Sequence, residues 1–122
     1  MAPHSKTSKD RYSTSLKRYL PTLMYILSKR KLTPALADSL NGRVLKLLRD
    51  LIRNCVHEDG ALYHEAKQDK DICKCRKRLN ELSNAKSSRK FKDIVNQRGG
   101  IALPLGLLSL AIPSIIGLIT GR

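Results

Sequence analysis

Tryptophan is absent from this chain, phenylalanine occurs once (Phe91), and tyrosine occurs four times (Tyr12, Tyr19, Tyr25, Tyr63). Any core must therefore be aliphatic, and one small domain is all that 122 residues support. Acids are also few. Ten Asp and Glu stand against 24 Lys and Arg, a net charge of +14. Only one cation, Arg122, lies beyond Gly100, so residues 1–100 carry +13. Such an excess attracts polyanions, either nucleic acid or an anionic membrane surface. Without a partner it weakens a small domain by self-repulsion.

Cysteine is too sparse, and odd in number, for a disulfide framework. Cys55, Cys73 and Cys75 read as free thiols in a reducing compartment. The first residues, MAPHSKTSKDRYSTS, hold no apolar stretch of signal-peptide type. Residues 1–14 read as a disordered basic arm. Zinc is disfavoured. Cys73-x-Cys75 with Cys55, His57 and His64 lacks the C-x₂₋₄-C spacing of structural sites, and Cys75 is wanted on an apolar face. No phosphate-binding glycine loop, paired-carboxylate motif or nucleophile elbow occurs. The chain reads as a non-enzyme with no catalytic residue, metal or cofactor.

Period-two alternation and hairpin signals are also missing, so residues up to Gly100 read as helix and connector. Leu16, Tyr19 or Leu20, Leu23 and Leu27 predict a helix from about Ser15 to Lys31 that starts or kinks at Pro21. Thr33-Pro34 opens a short helix that Asn41-Gly42 closes. Val44, Leu47, Leu48, Leu51, Ile52 and Cys55 form one apolar stripe, which predicts a helix over Arg43–Val56. The sequence HEDG, His57–Gly60, ends it. A fourth helix is expected over about Leu62–Leu82, with Ile72, Cys75, Leu79 and Leu82 inward. Ser87 or Ser88 caps a fifth, with Phe91, Ile94 and Val95 inward. The fold class is all-α, a small basic bundle of about four to five helices over 15–98, followed by a C-terminal apolar helix.

The cations cluster on this frame. Lys29, Arg30 and Lys31 end the first helix. Arg43, Lys46, Arg49 and Arg53 lie off the third helix's apolar stripe. Lys74, Arg76, Lys77 and Arg78 crowd the fourth, and Arg89, Lys90 and Lys92 the fifth. Such residues hold phosphates without reading sequence, so double-stranded DNA or another polyanion is the expected partner. Clusters of this kind also serve as nuclear import signals.

Residues 99–122 form a Gly-Gly junction and a hydrophobic, membrane-active tail. Ile101–Thr120 is 20 residues without charge, enough as a helix to span about 30 Å of hydrocarbon. Its lipid-facing set is Leu103, Leu105, Leu107, Leu108, Leu110, Ile112, Ile115, Ile116, Leu118 and Ile119. Gly106, Ser109, Pro113, Gly117 and Thr120 share the opposite, small-residue face. Pro104 and Pro113 interrupt the segment, and Pro113 would kink a helix. The alternatives for the tail are a buried core helix or a seam between copies.

The stretch QRGGIALPLGLLSLAIP resembles the end of the adenovirus mu core protein precursor (pX), and small basic proteins of adintoviruses carry similar tails. The matching elements are Arg98-Gly99-Gly100, Ile101, Leu103-Pro104-Leu105 and Pro113, about 20 residues of the chain. Upstream the two differ. The mu segment is short and arginine-rich, whereas this region is long, lysine-rich and patterned for helices, which favours a folded domain over protamine-like packing. The resemblance implies a viral minor core or capsid protein, found in the virion and in the host nucleus during assembly, with capsid proteins as partners. It also implies a maturation-protease site of the form X-Gly-Gly at Gln97-Arg98-Gly99-Gly100, cut before Ile101. A tail-anchored membrane protein and an all-α capsid assembly module are the alternative readings. The positive-inside rule fits the anchor, with Arg89, Lys90, Lys92 and Arg98 on the cytosolic side.

Overall fold

The computed structural model describes residues 17–111, and within them the chain is all-α: seven helices and one two-stranded antiparallel sheet. Helix α1 covers 17–28. It runs through Pro21 and buries Leu23, Ile26 and Leu27. Leu16 and the basic arm lie outside the described residues. The helix stops at Ser28, short of the expected Lys31. Lys29 and Arg30 donate back to the carbonyls of Ile26 and Leu27 at 3.1 and 3.4 Å, and Arg30 takes a left-handed φ of 64°. That turn delivers Lys31–Leu32 as strand β1.

Thr33 caps α2 (Pro34–Ser39), its Oγ1 accepting the Leu36 amide at 3.1 Å, with proline where its missing N–H costs nothing. Asn41-Gly42 is a start rather than a stop. Asn41 Oδ1 accepts the Val44 amide at 3.0 Å and opens α3 (Gly42–Val56). An asparagine side chain satisfies an N-terminal amide as readily as a left-handed turn satisfies a C-terminal carbonyl, so the dipeptide alone does not fix the direction. The whole α3 stripe is buried, joined by Leu45 and Val56.

The long fourth helix divides into α4 (Tyr63–Ala66) and α5 (Lys70–Ser83). Asp69 interrupts it because its carboxylate caps the Ile72 amide at 3.0 Å, an interaction that a continuous helix would forgo. Ile72, Leu79 and Leu82 point inward as expected, and Cys75 only partly. Ser87 Oγ caps α6 (Ser88–Gln97), which buries Phe91 and Val95 and leaves Ile94 half-buried.

Strand β2 (Ile101–Ala102) pairs with β1 in the register Lys31↔Ala102 and Leu32↔Ile101. Helix α7 covers 105–111. Helix α3 is central, packing on α4, α5 and α6, while α2 lies on α6 and β2 on α5. A single cluster of buried side chains runs from Leu23 to Ala111.

Candidate nucleic-acid interface and the Gly-Gly junction

The boundary drawn at Gly99 is not a boundary of the fold. Ile101, Leu103, Leu107 and Ala111 are buried in the same core as Leu48 and Ile52. Leu103 and Leu107 were expected to face lipid and instead face the domain, Leu108 and Leu110 are half-buried, and Leu105 is exposed. The reason is a shortage of core. With few aromatics, the bundle draws on the apolar residues that follow Gly100, and each buried Leu or Ile stabilises by about 1.5–3 kcal/mol. No helix among the described residues is long and apolar enough to cross a membrane. Ile112, Ile115, Ile116, Leu118 and Ile119 lie outside the described residues, as do Pro113, Gly117 and Thr120.

The two glycines have a structural role. The Gly99 amide donates to Asn96 at 3.1 Å and the Gly100 amide to Val95 at 2.9 Å, a Schellman ending of α6. Gly99 and Gly100 adopt φ of 67° and 113°. A β-carbon on Gly100 would lie 2.8 Å from Lys31 Cε and 3.3 Å from the Leu32 carbonyl oxygen. The turn then places the Leu103 amide 2.9 Å from the Arg30 carbonyl oxygen. Arg98 Nε and Nη2 clasp both oxygens of Glu81 at 3.2 and 3.0 Å, tying the end of α6 to α5 and holding the Glu81 carboxyl below its usual range. The expected cleavage segment, Gln97 to Ile101, is thus a hydrogen-bonded helix end followed by a buried strand residue.

The basic residues do not form one patch. Lys74, Lys77 and Arg78 are exposed on α5, and Arg89 and Lys90 on α6. Lys92 is half-buried and reaches the Asp38 carbonyl oxygen at 3.5 Å. Arg76, also exposed, donates to the Val56 carbonyl oxygen and to Tyr63 Oη at 3.4 Å each and lies over the Tyr63 ring. Lys29 lies over the Tyr25 ring, and Lys31 lies on β1 beside Gly100. Arg53 is exposed on α3.

Lys46 and Arg49 have a companion that the sequence reading missed. With Lys86 they line an open cavity of about 300 Å³ between the starts of α3 and α6, bounded also by Gly42, Leu45, Ser87, Ser88 and Phe91. Gly42 and Ser88 meet there, so Arg43 and Arg89 begin at the same rim. Arg49 is fixed by its bond to the Ala85 carbonyl oxygen, 2.9 Å, and pairs loosely with Asp50, 3.8 Å. Burial raises the Asp50 pKa, and Arg49, Lys46 and Arg53 only partly offset this. The signal for Lys86 was its place just before the capping Ser87. A helix start gathers whatever precedes it against the neighbouring element, but the sequence does not say which element that is.

The thiols stand apart. Cys55 is buried and burial pushes its pKa up to about 12, Cys73 is exposed, and burial raises Cys75. Among the described residues no three His, Cys, Asp or Glu side chains converge on a metal-sized site.

No known protein family, curated protein or solved structure matches this chain.

Proposed function

We propose that this chain is a viral core or capsid-interior protein whose basic helical domain binds DNA through its phosphates. The observation that carries the reading is charge without internal compensation. The net charge is +14, yet among the described residues only two ion pairs form, Arg49–Asp50 and Arg98–Glu81. The exposed lysines and arginines of α3, α5 and α6 supply phosphate contacts, and no aligned set of side chains argues for reading bases. The viral setting rests on the resemblance of the Gln97–Pro113 stretch to the mu precursor.

Residues 101–111 serve the domain in this conformation, so membrane contact belongs to the segment after Ala111 or to a tail freed by cleavage. Cleavage before Ile101 then precedes folding or follows local opening of the β1–β2 pair. A second reading, an all-α assembly module whose tail packs against other copies or a capsid shell, draws support from Leu103 and Leu107 being buried in protein.

Fluorescence anisotropy with duplex DNA tests the main reading. Neutralising about five phosphates makes affinity fall about 500-fold between about 50 and 200 mM salt. Binding no tighter than that of an unfolded peptide of equal charge overturns it. Full-length chain that neither binds vesicles nor makes them leak supports the assembly module. Peptide mapping of protein from its native source, with or without a fragment starting at Ile101, decides the cleavage.

A further inference from the structure

The cavity between α3 and α6 differs from the rest of the basic surface. Elsewhere Lys74, Lys77, Arg78, Arg89 and Lys90 are exposed on helix faces, while Lys29, Arg76, Lys92 and Arg98 are each engaged by a protein group or an aromatic ring. Here Lys46, Arg49 and Lys86 border one concavity of about 300 Å³, far larger than a water molecule needs, with the Ser87 and Ser88 side chains beside them. Arg49 does not swing freely, because the Ala85 carbonyl holds Nη1 and Asp50 lies 3.8 Å from Nε, which leaves Nη2 for a ligand. The Asp50 carboxylate beside it is half-buried, with its own pKa raised, and three cations face the cavity against this one acid. Both helix starts add partial positive charge from amides that have no acceptor within their helix.

We propose that this cavity is a phosphate-group site, with Lys46, Arg49 and Lys86 as its cationic walls and the Ser88 hydroxyl as a donor. The inference deepens the DNA-binding reading by naming where one phosphate is seated rather than merely attracted. The same chemistry accepts free phosphate, so the test has one arm for each source.

The full-length chain is titrated with inorganic phosphate at constant ionic strength while the backbone amides are followed by NMR, and separately with a short DNA duplex. The amides of Gly42, Arg43, Ser88 and Arg89 shift saturably with phosphate. The exposed-site variant Lys46→Ala/Lys86→Ala weakens that binding about tenfold or more, one lost charge-assisted bond being worth roughly that factor. Lys74→Ala/Lys77→Ala removes the same charge from α5 and changes it by less than about twofold. Equal weakening by both pairs, or shifts spread over every basic helix, overturns the site. Duplex binding that survives such a result leaves the DNA reading standing. Saturable phosphate binding in a chain with no duplex affinity keeps the site, makes free phosphate its ligand and sinks the DNA reading.

Discussion

Single residues carry much of the geometry. Gly100 combines a left-handed φ with close approach to Lys31 and the Leu32 carbonyl, so Gly100→Ala meets both strain and overlap. It is expected to cost about 1–3 kcal/mol in denaturant unfolding. Arg30 holds a similar left-handed φ without a glycine's freedom. Arg30→Gly is therefore expected to be neutral or to stabilise by up to about 1 kcal/mol. A loss at Arg30 matching that at Gly100 would contradict this account of both turns. Asp50 gives a pH prediction. Its folded pKa lies above the unfolded value, so the native state binds its proton more tightly, and stability falls as pH rises through the usual carboxylate range. Asp50→Asn should then raise the melting temperature near pH 7, and the gain should vanish near about pH 3. Glu81 acts in the opposite sense, its contribution being present above the carboxylate range and lost on acidification. Both partners of its pair with Arg98 are largely exposed, so that contribution is small.

At the scale of elements, the unexpected finding is that β2 and α7 belong to the core. Leu103→Ala and Leu107→Ala are expected to cost about 2–5 kcal/mol each, as fully buried leucines do. Ending the chain at Gly100 removes Ile101, Leu103 and Leu107 together, about 5–9 kcal/mol of burial, which is comparable with a domain's whole stability. Circular dichroism of a 1–100 fragment should show no cooperative melt near that of the full chain. An unchanged melt would restore the separate tail. Close packing explains one small residue of that segment. A β-carbon on Gly106 would overlap the Asp69 carboxylate that caps α5 and would press on Ile72. Of the expected small-residue face, Gly106 meets a helix start of the same domain, Ser109 is exposed, and Pro113, Gly117 and Thr120 lie outside the described residues.

The whole molecule is governed by its charge. Cations spread over α1, α3, α5 and α6 repel one another in the folded state, and salt or a polyanion relieves that repulsion. Raising NaCl from about 20 to about 300 mM should raise the melting temperature by several degrees, and stoichiometric duplex DNA at the lower salt should do the same. A melting temperature that falls or stays flat would mean that the cations are compensated within the fold.

The amino-acid sequence by itself determined the helical class, the α3 stripe, the Thr33 cap, a serine cap at Ser87 or Ser88, and the excess of positive charge. All of these are local or additive properties, set by spacing of 3.6 residues, by a side chain three positions from the amide it caps, or by counting. Only the tertiary structure decided that Lys86 joins Lys46 and Arg49, and that residues after Gly100 return to the core. Each of these depends on which distant segment lies alongside. Leu32 opposite Ile101 and Arg30 opposite Leu103 are pairings across some seventy residues. An uncharged apolar segment is equally suited to lipid and to a protein interior, and only a core with room for Leu103 and Leu107 distinguishes the two.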